Sequence, residues 1–461
     1  MPVLLFIHRW IGVALAVFMV GWLSSGLVIA NSGSIALTRA AQLAHLPSLA
    51  PQPGWLSAEA AVAAIAASRE NFTRGASVAD ARLVRLGDAP AWIVENSRGD
   101  RLAVSAVDGA LVDISPTLAE QIARKWLLAE KSAAGLAYLD TADSVVGVRN
   151  AELLKPFHRF AALDDAGTII VVSAKSGDVV QAATRFERGL YYAGAWLHLF
   201  RPLDLLNAGE FRRTALTYAG GFAFIGALTG VIVGLVKWRP GFFGRPTYSQ
   251  GRTQPYREKW LKYHFWAGLI GGVFAALWAG SGFLSTNPGQ IFSPATASPA
   301  ELALYYGAGR QSEGAPLPAV SEKIVELRWS RLGDAAVVTA YDRDGTRHAL
   351  AGASAIDDGA LISAAARLAG STAIAAHEPL ADYDSYYVAG HGQGAAERPL
   401  PALRVDLADA GHTSLYIDPA DGRLLLKLDD SRRKFRWLYS AVHHWDFGWF
   451  RDFHLARRSG S

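Results

Sequence analysis

The chain of 461 residues contains no cysteine. Disulfides, Cys-ligated zinc, iron–sulfur clusters, covalently attached c-type haem and thiol catalysis are therefore excluded, and any metal needs histidine, carboxylate or methionine ligands. Charge is also scarce, because only 19% of the residues are charged while 51% are hydrophobic. That composition is rich for a soluble protein. The formal net charge of +4 is too small and too dispersed to indicate a nucleic-acid partner.

Three long runs lack charged side chains altogether, and they cover residues 11–30, 214–236 and 265–287. At about 1.5 Å of rise per residue, a helix of about twenty residues crosses a hydrocarbon core of about 30 Å. Burial in one large soluble core is the alternative, and three such runs disfavour it. The first run is long for a cleaved signal peptide and has a copy further down the chain, so we expect it to be retained as a span.

Basic residues cluster between the second and third runs. Seven cations stand there against Glu258: Lys237, Arg239, Arg245, Arg252, Arg257, Lys259 and Lys262. By the positive-inside rule this connection is cytoplasmic. We therefore predict a multi-pass bacterial inner-membrane protein, embedded in membrane lipid. Its predicted segments are spans 1–30, 214–238 and 262–287, a cytoplasmic basic loop 239–261, and large periplasmic domains 31–213 and 288–461.

The chain contains an internal repeat. With a shift of 256 and no gaps, residues 8–33 match residues 264–289 at ten of 26 positions. The identical pairs include His8/His264, Trp10/Trp266, Trp22/Trp278, Ser25/Ser281 and Gly26/Gly282. The repeat continues outside the spans at Pro156/Pro401, Arg159/Arg404, Thr168/Thr413, Gly177/Gly422 and Arg188/Arg436. The predicted architecture is therefore a span, an outer domain and a span, repeated once.

Each outer domain has an α+β pattern. In the first, residues 57–67 and 116–130 are predicted helices, the second with Pro116 at its first position. Residues 91–94, 102–107, 168–173 and 177–180 are predicted strands joined by glycine-containing turns. The second domain has similar turns at Asp344-Gly345 and Asp421-Gly422. The predicted fold class is a polytopic α-helical membrane protein with two α+β domains.

Several stretches resemble the PepSY-associated transmembrane family, which includes di-haem ferric-siderophore reductases of the bacterial inner membrane. They are His8-Arg9-Trp10-Ile11-Gly12, Pro156-Phe157-His158-Arg159-Phe160, Trp196-Leu197-His198, residues 383–391, Arg436-Trp437-Leu438-Tyr439 and Asp446-Phe447. The resemblance implies two outer PepSY-like domains and two b-type haems ligated by histidine. It also implies a fourth span after Asp446-Phe447, which this sequence does not contain. We therefore expect either that the sequence is truncated, or that the second haem site is incomplete or completed by a partner.

Four histidines are the candidate haem ligands. A membrane haem without cysteine or a methionine pair needs two imidazoles, one on each side of the ring. His8 and His264 occupy equivalent positions in the repeated spans, while His198 and His443 lie on the outer side. The repeat pairs His8 with His264 and His198 with His443, one haem near each membrane face. All four have an alternative as ordinary interfacial histidines, and His444 competes with His443.

Other residues are candidates for substrate binding or for packing alone. Tyr383, Tyr386, Tyr387 and His391 form a polar aromatic cluster that would line a cleft for an iron chelate or simply join the outer domains. His158 is either structural or near substrate. The glycines of the second and third spans would admit a flat porphyrin or merely pack helix on helix. The basic loop would dock an acidic donor, compensate haem propionates or only set orientation.

The sequence lacks a dinucleotide-binding glycine motif between a strand and a helix, a Walker motif and a convincing hydrolase constellation. The leading hypothesis is a haem b oxidoreductase. Electrons would enter from a cytoplasmic donor or quinol and reduce a ferric siderophore in the periplasm. The alternative is a non-redox membrane protein whose PepSY-like domains bind an envelope protein or a protease.

Overall fold

A computed structural model describes residues 1–31, 35–74, 76, 78–130, 132–148, 151–206, 209–307, 317–350, 356–389 and 397–448. The chain divides into two compact units. The helical unit comprises Met1–Ser32, Tyr192–Ser293 and Ser431–Ser461. The sheet unit comprises Gly33–Tyr191 and Pro294–Asp430. Residues 192–213 and 431–448, assigned from sequence to the outer domains, thus belong with the helical unit.

The α-helices are α1 (Pro2–Asn31), α2 (Arg39–His45), α3 (Ala58–Ser68), α4 (Glu70–Thr73), α5 (Pro116–Ala129), α6 (Ala151–Leu154), α7 (Arg185–Tyr191), α8 (Gly209–Lys237), α9 (Lys259–Ser285), α10 (Pro299–Tyr306), α11 (Asp358–Ala369), α12 (Asp430–Phe435) and α13 (Val442–His444). Two π-helices are π1 (Tyr192–Trp196) and π2 (Arg436–Ala441). Short 3₁₀ segments cover Arg201–Leu206, Ser249–Gly251 and Pro288–Gln290.

The strands are β1 (Val78–Leu86), β2 (Ala89–Asn96), β3 (Arg101–Ser105), β4 (Leu136–Ala142), β5 (Phe157–Ala162), β6 (Ile169–Ser173), β7 (Val179–Ala183), β8 (Ile324–Leu332), β9 (Ala335–Asp342), β10 (Arg347–Ala349), β11 (Ile374–Leu380), β12 (Ala402–Leu407), β13 (Ser414–Ile417) and β14 (Leu424–Leu428). Their pairings are antiparallel throughout the described sheets.

Helices α1, α8 and α9 are long and apolar enough to cross a membrane, with mean hydropathies of 2.2, 2.1 and 1.6 over their most apolar windows. The prediction of three such helices is confirmed. Each helix begins before its uncharged run, and α1 starts at Pro2, close to the predicted bounds of 1–30. A charged residue such as Arg9 ends an apolar run without ending a helix, because arginine is a good helix former.

Helix α8 lies between α1 and α9 and runs antiparallel to both. A Cβ atom placed on Gly226 would lie 2.7 Å from Cγ2 of Ile11, so α1 approaches α8 backbone closely. On the other face, a Cβ on Gly234 would lie 3.0 Å from Leu269, and one on Gly220 would lie 3.3 Å from the Phe283 backbone. These three glycines therefore pack helix on helix, as small residues do between apolar helices.

The sheet unit is built around one sheet of six strands shared by both halves of the repeat, in the order β10-β9-β8-β1-β2-β3. Strands β1 and β8 join the halves, with Leu83 opposite Leu327 and Arg82 opposite Arg328. Each half adds a four-stranded sheet, β4-β5-β6-β7 or β11-β12-β13-β14. The two predicted α+β domains are thus continuous through a common sheet.

One helix from each half packs against both the six-stranded sheet and the four-stranded sheet of that half. Helix α5 buries Ile122 and Trp126 against Val84 and Phe160, and α11 buries Leu361 against Val405 in the equivalent way. Ser57 and Ser115 cap α3 and α5, the latter with proline at the first turn as predicted.

The junction between β1 and β8 is held by buried charges. Arg82 and Arg328 stand directly opposite each other, and each contacts a carboxylate of the other half of the repeat. Arg328 pairs with Asp80, while Arg82 lies 3.0 Å from Asp178 and 3.6 Å from Glu326. Burial alone would raise the pKa of the Asp178 carboxyl, but Arg82 and Arg101 outweigh burial and lower that pKa to about 2.

Candidate functional site: two pairs of histidines

The inner pair consists of His8 on α1 and His264 on α9. Their ring centroids lie 6.0 Å apart, with planes inclined by 34°. The pair lies at the end of the helical unit where α8 reaches Lys237, because the His8 ring packs against Gly230. A Cβ on Gly230 would come within 2.6 Å of Cε1 of His8, so glycine leaves the space that the imidazole occupies.

The outer pair consists of His198, which follows π1, and His443 in α13. Their ring centroids lie 6.5 Å apart, with planes inclined by 64°. His198 packs on α1 beside Gly26, and His443 packs on α9 beside Gly282. Position 26 becomes 282 under the repeat shift of 256, so the two imidazoles are held by equivalent turns of the duplicated helices.

Both separations suit a metal ion between two imidazoles. A first-row metal lies about 2 Å from a coordinating imidazole nitrogen, so two axial rings on one iron have centroids about 6 Å apart. Within the described residues, no group of three or more histidine, aspartate or glutamate side chains is placed to bind a metal ion. Two opposed imidazoles are the donor set that bis-histidine haem requires, and such sites are commonly built between helices of a bundle.

Hydrogen bonds fix the ring nitrogens of three of these histidines. His8 Nδ1 lies 3.0 Å from the carbonyl oxygen of Gly226, which only accepts, so His8 Nδ1 carries the proton. His198 Nδ1 lies 3.1 Å from Ser25 Oγ, and His443 Nδ1 lies 3.0 Å from Ser281 Oγ. A neutral imidazole protonated at Nδ1 presents Nε2 as its ligand atom. Bonding the distal ring nitrogen in this way is typical of metal-binding histidines.

His443 rather than His444 belongs to the pair. The two rings are nearly perpendicular, at 83°, and His443 lies against His198 and Ser281. His443 is half-buried, whereas the His444 side chain is exposed and contacts Tyr439. The sequence preference for the first histidine of the two agrees with this placement.

Two π-helices precede the outer histidines, and sequence reasoning missed them. Helix π1 ends two residues before His198, and π2 ends two residues before His443. Single π turns occur frequently at functional sites because they re-aim the residues that follow. The two π-helices correspond at the same repeat offset, 245, as His198 and His443, so both copies carry the turn at equivalent places.

The proposed substrate residues lie elsewhere and are mostly packed. Tyr387 is fully buried, donates to Pro399 O at 2.6 Å and stacks on Tyr416. Tyr386 packs against the same small core. Tyr387 therefore belongs to the interior of the sheet unit, where packing alone, one of the two interpretations given above, accounts for its position.

Of the remaining candidates, His158 is buried, with Nδ1 2.8 Å from Thr141 Oγ1 and Nε2 2.7 Å from Ile114 O. Its two nitrogens are both used internally, so its role is structural. Tyr383 is exposed and donates to Arg398 O at 2.9 Å. His391 lies outside the described residues.

The basic loop is ordered by its own cations. Arg245 donates to Leu235 O at 2.8 Å, at the C-terminal end of α8. Lys237 Nζ donates to Tyr256 OH at 2.9 Å, and Arg239 lies over the ring of Tyr248. Cations at a helix C-terminus satisfy free carbonyls and interact favourably with the helix dipole. Some of the basic residues of this loop thus have a structural role at the C-terminal end of α8.

No protein-family model matches the chain, and no curated protein matches it significantly. The resemblance to the PepSY-associated transmembrane family therefore stays a prediction, and the histidine geometry is the observation on which a function has to be argued.

Proposed function

We propose that this chain is a multi-pass inner-membrane haem b protein that passes electrons from a cytoplasmic donor or quinol to a ferric siderophore in the periplasm. The observation that carries the proposal is the presence of two pairs of neighbouring imidazoles in the helical unit, with ring centroids 6.0 and 6.5 Å apart. A pair near each end of the bundle suits electron transfer across a membrane.

The separation of the pairs follows from helix geometry. His8 and Ser25, which contacts His198, are both on α1 and are 17 residues apart. That separation corresponds to about 26 Å along the helix axis, most of the thickness of a hydrocarbon core of about 30 Å.

The chain's own residues would hold and orient two haems. His8 and His264 would bind one, His198 and His443 the other, each through Nε2 where Nδ1 is hydrogen-bonded. Gly230, Gly26 and Gly282 keep side chains away from the imidazoles. Bound there, haem supplies reversible one-electron exchange, with a potential set by its ligands and their hydrogen bonds.

The orientation is inferred from charge. The loop between α8 and α9 carries the cluster of cations and joins the ends of these helices next to the inner pair, so this end would be cytoplasmic. The opposite ends of α1 and α9 lead directly into segments of the sheet unit. The sheet unit would then be periplasmic, and it is large enough to offer walls to a siderophore.

The chemical outcome is the reduction of iron in its chelate. The ferric ion of the substrate gains one electron, supplied by the donor or quinol, and becomes Fe(II). Hard oxygen donors bind the smaller and more highly charged ferric ion more strongly, so reduction weakens the chelate and favours release.

The test is spectroscopic and kinetic. Purified protein should show a Soret band and a sharp reduced α-band of low-spin bis-imidazole haem, and the reduced protein should be reoxidised on adding a ferric siderophore. His198→Ala should slow reoxidation. The control is His412→Ala, which removes an exposed histidine of the sheet unit and should behave as wild type. Absence of haem would refute the proposal and favour a non-redox protein whose sheet unit binds an envelope protein or protease. Haem that stays reduced with every ferric chelate would refute the reductase activity.

A further inference from the structure

A five-residue pattern, Trp-x-x-Ser-Gly, occurs at equivalent places in the repeat: residues 22–26 on α1 and residues 278–282 on α9. In a helix the serine lies one turn after the tryptophan, on the same face. Each copy contacts one outer histidine, the first His198 and the second His443. Repetition of the same contact from different parts of the chain indicates a common task.

The hydrogen positions in the first copy follow from its donors and acceptors. Ser25 has one hydroxyl hydrogen, which it donates to Trp22 O at 2.8 Å. At 3.1 Å from His198 Nδ1, Ser25 Oγ therefore accepts, so the imidazole supplies the hydrogen. Nδ1 also lies 3.1 Å from Trp22 O, which again only accepts. In return, the Trp22 indole donates to His198 O at 3.1 Å.

The second copy repeats the arrangement. Ser281 donates to Leu277 O at 2.6 Å and lies 3.0 Å from His443 Nδ1, so its oxygen accepts from the imidazole. His443 also bonds to the backbone of Trp278, the counterpart of Trp22. In both copies the serine hydroxyl is committed to its own helix, and this commitment determines which ring nitrogen is protonated.

The glycine completes each copy by leaving room for the ring edge. A Cβ on Gly26 would lie 3.3 Å from Cε1 of His198, and one on Gly282 would lie 3.4 Å from Cε1 of His443. Both values are at the tight end of van der Waals contact, so a larger side chain would push the imidazole off the serine.

We propose that Trp-x-x-Ser-Gly is a positioning motif, used twice, that holds the outer imidazoles with Nδ1 protonated and Nε2 free for iron. The assignment of iron rests on the proposed function, whereas the protonated nitrogen does not. Ser25 and Ser281 act through the histidines: they fix ring rotation and strengthen the ligand by accepting its hydrogen, as outer partners of metal-bound histidines do.

The first experiment needs no haem. Full-length protein labelled with ¹⁵N-histidine and prepared without haem should give His198 and His443 signals of the Nδ1-protonated form, assigned by their loss in His198→Ala and His443→Ala. Ser25→Ala should shift only the His198 signal, and Ser281→Ala only that of His443. Ser285→Ala is the matched control, because Ser285 also bonds a carbonyl of α9, that of Gly282. Nε2-protonated rings, or shifts equal to the control, would overturn the proposal.

The second experiment measures haem binding by titration. Ser25→Ala/Ser281→Ala should weaken the outer site by about 10-fold to 100-fold, the usual cost of losing an outer partner of a metal ligand, and should change its reduction potential. Ser285→Ala should match wild type. Wild-type affinity in the double variant would overturn the positioning role. If wild type itself binds no haem, the proposed function fails, and the haem-free experiment still decides whether the motif sets the protonated nitrogen.

Discussion

The imidazoles of the two histidine pairs are held in place by different kinds of contact. The outer imidazoles are held symmetrically, each by a serine and a glycine of a duplicated helix. The inner pair lacks this symmetry: His8 bonds to the carbonyl of Gly226 and packs on Gly230, both on α8, which lies outside the repeated stretches 8–33 and 264–289. Duplicated contacts therefore hold the two outer imidazoles, while His8 of the inner pair is held by a helix outside the two repeated stretches.

The difference predicts which substitutions discriminate between the pairs. Side-chain changes on α1 and α9 one turn from the outer rings should affect the outer pair, whereas backbone crowding on α8 should affect the inner pair. The pairs lie far enough apart for such effects to be independent.

The largest expected effect is the loss of a ligand. His264→Ala should remove the inner haem and His443→Ala the outer one, so each variant should retain about one haem per chain where wild type binds about two. Haem content by pyridine haemochrome, normalised to protein, measures this. Full haem content in either variant would show that the pair concerned is not a ligand pair.

A smaller effect is expected from crowding. Gly230→Ala would place Cβ 2.6 Å from His8 Cε1, so the ring must move and its 3.0 Å bond to Gly226 O must break. Gly26→Ala brings Cβ only to 3.3 Å from His198. In Gly230→Ala the haem affinity of the inner site should fall about 10-fold or more. In Gly26→Ala the haem affinity of the outer site should fall by less. Gly12→Ala, with no atom within 4 Å, is the control. Equal losses at both sites would contradict the comparison.

The smallest expected effect is on the stability of the sheet unit. Its buried polar side chains form ion pairs, such as that of Asp178 with Arg82, whereas the helical unit holds pairs of imidazoles. Because the pKa of Asp178 is lowered to about 2, its stabilising contribution is present above about pH 4 and is lost as pH falls towards 2. That contribution is about 2 kcal/mol.

Hydrogen exchange of the β1 and β8 amides at successive pH values measures this effect. Asp178→Asn should be less protected than wild type at neutral pH and nearly equal to it at pH 2. The exposed Asp165→Asn should follow wild type throughout. A constant difference between Asp178→Asn and wild type from pH 7 to pH 2 would contradict the assigned pKa.

Periodicity and repetition were sufficient to predict the three long helices, the capped helices α3 and α5, and several strands. The length of an uncharged run predicts a membrane-spanning helix without any knowledge of tertiary structure. A serine before a helix caps it through a hydrogen bond to the first turn, so this signal is also local in sequence. The closeness of the histidine pairs was also predictable, because the repeat places His8 and His264 at equivalent levels. That they are ligands stays a prediction.

What sequence could not provide depended on contacts between distant segments. The pairing of β1 with β8 unites the halves, yet alternating apolar residues in Val78–Leu86 do not specify a partner strand. The sequence left Tyr387 open between a cleft and packing, and its burial depends on Tyr416, which comes from a later strand and stacks on it. The role of Ser25 and Ser281 could not be predicted for the same reason, because each serine contacts a histidine that is distant in the sequence.

The junction of β1 and β8 also has a consequence for biogenesis. Leu83 and Leu327 are paired although they are 244 positions apart, so β1 keeps one unpaired edge until the ribosome has synthesised β8. At about 5–20 residues per second, this delay is about 12–50 s. Open strand edges invite aggregation, and inward charges protect them. Asp80 and Arg82 lie on that edge; the side chains that later become buried ion pairs would first keep the unfinished chain soluble.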